Sequence, residues 1–154
     1  VLESFGEGGP AVLDGGACER GLESTIVALR TQGWQLLRPG PIAQEDITEL
    51  LGDAMTVIPD RIEAPGQLAS HYSPGKPVRL AADAPDEDEF MIGFGATAGD
   101  CSLSPAGDLA EAAARLYACL HEAARSAHPR VAVAPIPEDG MGAAINDRLR
   151  RAAA

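Results

Sequence analysis

The stretch DLAEAAARLYACLHEAARSAHPRVAVAPI, residues 108 to 136, runs an amphipathic helix into an apolar strand, and the fold class follows from that junction. Asp108 with Glu111 three positions later is a helix-opening pair, because acidic side chains there satisfy the unpaired N–H groups of the first turn. Leu109, Ala112, Ala113, Leu116, Leu120 and Ala124 form one apolar stripe, which predicts a helix from about Asp108 to Ala127 docked on a sheet. VAVAPI (131–136) is apolar on both faces, the pattern of a buried parallel strand. AAINDRLRRAAA (143–154) closes the chain as a helix with Ile145 and Leu149 inward. Upstream, VRLAA (78–82) and EFMIGFG (89–95) read as strands. Strand, strand, helix, strand, helix predicts a small α/β layer domain.

The first third carries its own pattern. AVLDGG (11–16), ESTIVAL (23–29) and WQLLR (34–38) are short β-favouring runs, with Asp14 to Gly16 suited to a turn and the QG pair at 32–33 suited to a hairpin. Gln44 to Leu51 has Ile47, Leu50 and Leu51 at helical spacing and is stopped by Gly52, and MTVI (55–58) reads as another strand. Then PDRIEAPGQLASHYSPGKP (59–77) places prolines at 59, 65, 74 and 77, which forbids regular structure over most of its length. It is a linker between two units, and its His71-Tyr72 pair wants a surface to pack on.

Composition narrows the function classes. The 154 residues are 45% hydrophobic, enough to bury a core, and the net charge of −11 argues against a sequence-independent grip on nucleic acid. The acidic run DAPDEDEF (83–90) reads as a solvated loop face. The 3 cysteines, Cys18, Cys101 and Cys119, include no CxxC pair, so neither a disulfide framework nor a zinc site is indicated. No run reaches the ~18 apolar residues of a membrane span, and a cytoplasmic location is expected. The chain opens in mid-element at VLESFGEGG (1–9), so an N-terminal portion is expected to precede it.

Several motifs read as ordinary structure. GFGATAG (93–99) lacks the helix that a dinucleotide-binding loop needs at its last glycine, and is expected to be a flexible loop. His121 and His128, seven apart on the predicted helix, are expected to be surface residues without a metal. No GxSxG elbow or Ser/His/Asp pattern is present. Three features carry more chemistry. Ser24 places a hydroxyl at the opening of a strand, where it suits a small polar ligand. Arg38 is delivered by a strand into the stiff Pro39-Gly40 turn, well placed to hold an anion. His71 and Tyr72, on a mobile linker, can fold over a site as a lid.

Four segments in order, DGGACERGLESTIVAL, LLRPGPI, APGQLASHYSPGKPVRL and PEDGMGAAINDRLRRAAA, resemble the threonylcarbamoyl-AMP synthase family in its two-domain form. The resemblance spans essentially the whole chain. It implies that residues 1–58 are the C-terminal part of a YrdC-type α/β catalytic domain, 59–77 a Pro-rich gating linker, and 78–154 a small Rossmann-like α/β accessory domain. It also implies an enzyme that combines L-threonine, bicarbonate and ATP into L-threonylcarbamoyladenylate and pyrophosphate. Partner proteins would then pass the threonylcarbamoyl group to tRNA, with no direct tRNA grip and no membrane involved.

Carried over residue by residue, Ser24 is expected to contact L-threonine and Arg38 the ATP phosphates, while His71 and Tyr72 match the linker motif that gates the cleft. Mg2+ is expected to arrive with ATP, with no tightly bound cofactor, no protein metal ligands and no covalent catalyst. The family's K-x-R and S-x-N motifs belong upstream of residue 1. The fragment alone is therefore expected to be inactive. The alternatives are a related carbamoyl-transfer enzyme, against which the linker and the lack of zinc-finger cysteines count, and a non-catalytic nucleotide- or RNA-associated module.

Overall fold

The computed structural model describes residues 5–6, 8–16, 18–56, 62–68 and 72–154. Two sheets organise them. The first is an antiparallel hairpin of β1 (Ile26–Arg30) and β2 (Gly33–Arg38), followed by α1 (Gln44–Leu51). The second holds β3 (Val78–Arg79), β4 (Glu89–Gly93), β5 (Cys101–Ser102) and β6 (Arg130–Val133) in the order β3-β6-β4-β5, all parallel. Helix α2 (Leu109–Arg125) lies between β5 and β6, and α3 (Met141–Ala153) ends the chain. The protein is mixed α/β, as the periodicity predicts. Among the described residues no helix is long and apolar enough to cross a membrane.

The parallel sheet is the core. Val131, Ala132 and Val133 are fully buried in the second position of the sheet, and β4 is buried along its whole length. Helix α2 starts where expected, with the Asp108 carboxylate accepting from the Glu111 N–H at 2.7 Å. Its covered face is Ala112, Ala113, Leu116, Cys119, Leu120 and Ala123, whereas Leu109 and Ala124 sit at the edge of the stripe. Small alanines let the helix approach the sheet closely. In α3, Ile145 and Leu149 point inward as expected, and Arg148 shares their face with no exposure.

The structure departs from the sequence reading at several points. Residues 11–13 form no strand, and Leu13 is fully exposed. The Asp14 carboxylate accepts from the Gly16 N–H at 2.9 Å, so a local turn wins where a strand would need a neighbour. The hairpin turns on Thr31-Gln32, because Gly33 already pairs with Arg30. Met55 donates its N–H to the Trp34 carbonyl at 2.7 Å but no ladder follows at 55–56. Val57 and Ile58, the rest of that expected strand, lie outside the described residues.

In the C-terminal half, α2 stops at Arg125, two residues early, because Ser126 caps it. His128 therefore leaves the helix and packs half-buried against Phe90, with ring centroids 6.0 Å apart. GFGATAG is no flexible loop. A Cβ on Gly93 would lie 2.4 Å from the Thr97 carbonyl oxygen, and one on Gly99 2.4 Å from that of Met91, so the glycines permit a tight reversal that feeds β5. The acidic run is solvated up to Asp88, but Glu89 is buried, paired with Arg79 on β3 and with Arg130 on β6 at 3.2 Å.

One segment fastens the two sheets. Leu22, just before β1, inserts into the core of the parallel-sheet unit, and Gly21 presses against α2 so closely that a Cβ would sit 2.2 Å from the Ala113 carbonyl oxygen. Burying a leucine of this kind contributes about 2 kcal/mol.

Candidate functional site

Ser24 and Arg38 are brought together at the hairpin base. Arg38 is buried at the end of β2 and donates from Nε to the Ser24 carbonyl at 3.1 Å and from Nη2 to Ser24 Oγ at 3.3 Å. Its Nη1 donates to the Pro65 carbonyl at 3.2 Å. Each terminal nitrogen carries a second N–H beyond these bonds, which is the fork that suits phosphate oxygens. The Pro39-Gly40 turn is tight enough to explain why the arginine is fixed. A Cβ on Gly40 would lie 2.3 Å from the Thr25 N, so only glycine lets the turn lie against the strand opening. The Ser24 hydroxyl is on an exposed residue.

The linker crosses this pair. Gln67 accepts from the N–H groups of Glu63 and Ala64 at 2.6 and 2.9 Å and donates to the Leu37 carbonyl, while Glu63 takes both oxygens to Arg30. Gly66, at φ +85, lies between Arg38 and Tyr72; a Cβ there would be 3.3 Å from Arg38 Cδ and 3.2 Å from the Tyr72 hydroxyl oxygen. Tyr72 has φ +63, uncommon for an aromatic residue. It is held by a ring contact with Tyr117 at 5.3 Å and by its hydroxyl, which donates to Glu23 Oε1 at 2.6 Å. Thus Ser24, Arg38 and Tyr72 share one neighbourhood, whereas His71 lies outside the described residues.

The centre of the arrangement is a residue that sequence reasoning missed. Glu23 Oε2 accepts from the Tyr117 hydroxyl at 2.9 Å and from Arg148 Nε and Nη2 at 3.1 and 3.0 Å. Partial burial works to raise the Glu23 carboxyl. Hydrogen bonds from Tyr72, the backbone, Tyr117 and Arg148 outweigh it and bring the group down from 4.5 to about 2. Burial first, and then the Glu23 carboxylate that both donate to, push the two tyrosine hydroxyls up, with Arg148 opposing. One signal for Arg148 was available: it stands three residues after Ile145 and next to Leu149, on the inward face.

Chemically, the site presents a buried guanidinium, an exposed hydroxyl and a covering linker, which is equipment for holding an anionic substrate. A nearby cleft of about 300 Å³ between α1 and α3 is lined by Glu45, Glu138, Asp147 and Arg150. Arg150 is already paired with Glu138, so that cleft is negative and unsuited to phosphate. Among the described residues no group of three or more His, Cys, Asp or Glu is placed to hold a metal ion.

The described residues thus set a parallel α/β unit beside a hairpin that carries the Ser24–Arg38 pair, with the Pro-rich linker crossing it. The chain belongs to the threonylcarbamoyl-AMP synthase family: the model of that family's C-terminal domain matches residues 42–154. The threonylcarbamoyl-AMP synthase of Pyrococcus abyssi is 29% identical over 99% of this chain and 52% of its own length. That of Bacillus subtilis is 26% identical over 92% and 48%. The crystal structure of P. abyssi Sua5 complexed with L-threonine matches at a TM-score of 0.82 with 25% identity, covering 99% of this chain and 52% of that one. The chain spans about half the length of the curated relatives it matches.

Proposed function

We propose that this chain supplies the C-terminal half of an L-threonylcarbamoyladenylate synthase acting in threonylcarbamoyladenosine modification of tRNA. In this reading residues 1–58 complete a YrdC-type catalytic domain, 59–77 gate it, and 78–154 form the accessory domain. L-Threonine and bicarbonate condense to a carbamate with loss of water. A carbamate oxygen then forms a bond to the α-phosphorus of ATP as the bond to the bridging oxygen breaks, and pyrophosphate leaves with the electron pair. Transfer proteins take the product onward.

Ser24 contacts L-threonine, Arg38 contacts the ATP phosphates, and His71 with Tyr72 closes the linker over both. Positioning and charge stabilisation supply the rate of such phosphoryl chemistry, so no covalent residue is assigned. Mg2+ is assigned to the nucleotide's own phosphates, which supply most of its ligands in sites of this kind. With the K-x-R and S-x-N motifs elsewhere, residues 1–154 alone are inactive in this reading.

The observation that carries the proposal is the Arg38–Ser24 pair beneath the linker carbonyl of Pro65, in a chain of this family. It is tested by pyrophosphate release from the full-length protein, wild type against Arg38→Ala. Release should require both L-threonine and bicarbonate and fall about 100-fold in the variant, the scale of losing one positioned charge donor. Release without threonine, or an unaffected variant, overturns it.

A further inference from the structure

The inner face of α3 holds a charge whose two anchors bracket the Ser24–Arg38 pair. Arg148 is fully buried on the Ile145/Leu149 face. Its Nε and Nη2 donate to Glu23, the residue before Ser24, at 3.1 and 3.0 Å. Its Nη1 donates to the carbonyl of Pro39, the residue after Arg38, at 2.7 Å. Asp147 Oδ2 accepts from the same Nη1 at 3.0 Å, and Asp147 in turn pairs with Arg151, which donates to the Leu68 carbonyl of the linker at 2.7 Å. One turn of α3 therefore touches the strand opening, the turn beyond β2, and the linker.

We infer that Arg148 is a positioning residue for the substrate-binding pair, setting the separation of Ser24 from Arg38 from the side away from the ligand; this rests on the synthase reading above. The geometry favours that over simple stapling of two units. Beside the docking of Leu22 and Gly21 on α2, the Glu23 pair alone would complete a staple, which needs no second bond to Pro39. A guanidinium spans both anchors because its donors are spread over a rigid plane, and a lysine ammonium is a single point that serves one of them. The Glu23 carboxylate also divides its labour. Oε2 belongs to α2 and α3 through Tyr117 and Arg148, whereas Oε1 takes the linker's Tyr72. Withdrawal of the linker removes the Oε1 bond and leaves the Oε2 side in place.

The test uses the full-length protein and three variants: Arg148→Lys, Glu23→Gln and the double substitution. For Arg148→Lys the KM for L-threonine should rise about tenfold, the worth of one charge-assisted hydrogen bond, while the melting temperature stays near wild type. Hydrogen exchange should speed up in peptides covering residues 22–26 and 36–41 and stay unchanged in β4 and β6. Glu23→Gln should shift both readouts in the same direction, and the double variant should lose less than the sum of the two. Unchanged exchange at 22–41, or a drop in melting temperature with KM unaltered, overturns the inference. If the wild type shows no threonine-dependent release, the synthase reading fails, and the exchange pattern alone then decides whether Arg148 positions the pair.

Discussion

Lys76 closes the end of α2 by holding Ser126: its ammonium lies 2.8 Å from the Ser126 carbonyl and 3.2 Å from the hydroxyl, and 2.8 Å from the Ala123 carbonyl. A cation that satisfies the last carbonyls of a helix is favourable both as a cap and against the helix dipole. Lys76 is also the last residue but one before the parallel sheet begins, so it fixes where the linker ends. Lys76→Met should cost about 1 kcal/mol and lower the melting temperature by roughly 2–4 °C. A thermal melt followed by circular dichroism checks this, and an unchanged midpoint would show that the carbonyls are served equally well by water.

Gly21 and Gly16 make a matched pair of tests, since both have positive φ, +65 and +86. A side chain at Gly16 meets nothing within 4 Å, whereas at Gly21 it strikes the α2 backbone. Gly16→Ala should therefore cost only the left-handed backbone penalty of about 1 kcal/mol. Gly21→Ala should cost about 3 kcal/mol or more, because backbone cannot move aside as a flexible side chain can and Leu22 is levered out of the core. Urea midpoints for the two variants give the comparison.

Legibility in the sequence tracked the range of the interaction. The 109–125 helix, the buried strand at 131 and the hairpin were readable because their apolar spacing is local. β5 was not, because Cys101 and Ser102 form a strand only by pairing with Ile92 and Gly93 after a glycine-permitted reversal. Ser24, Arg38 and Tyr72 could be singled out as chemistry-bearing, and the structure bonds Arg38 to Ser24 and sets Gly66 between Arg38 and Tyr72. Glu23, Tyr117 and Arg148 escaped notice because their meaning lies in contacts between residues 94 and 125 positions apart. A buried arginine on an apolar helix face signals an acceptor somewhere, but sequence does not say which carboxylate answers.

Acid should find two weak points. Glu89 is brought from 4.5 to about 2, chiefly by its hydrogen bonds to Arg79, with burial opposing and the Asp86 N–H and Arg130 assisting. Glu23 reaches a similar value by the bonds described above. A carboxylate depressed by folding binds fewer protons folded than unfolded, so its contribution is complete above 4.5 and is lost as pH falls from 4.5 towards about 2. The urea midpoint should be flat at neutral pH and fall steeply below that value. Glu89→Gln, lower at neutral pH, should show a shallower acid limb. An acid limb identical to wild type would remove Glu89 from the account.

Trp34 offers the last test, of whether the two sheets unfold as one. It is the only tryptophan of the 154-residue chain, buried on β2 with its Nε1–H donating to the Gly52 carbonyl at 2.8 Å, so its fluorescence reports the hairpin unit. Helical circular dichroism reports mainly the other unit, because α2 and α3 carry 17 and 13 residues against 8 in α1. Leu22, Gly21 and the Glu23–Arg148 pair join the units, and coincident transitions by different probes are the signature of a single cooperative event. In the 154-residue chain the two urea curves should overlay. Arg148→Met leaves the Glu23 carboxylate without its charge partner and the Pro39 carbonyl without its donor, which costs the junction while sparing the β3-to-β6 core. The tryptophan curve should then move to lower urea ahead of the helical curve. Curves that separate already in the wild type would mean the junction is too weak to couple the units, and curves that still overlay in Arg148→Met would mean that Leu22 and Gly21 suffice.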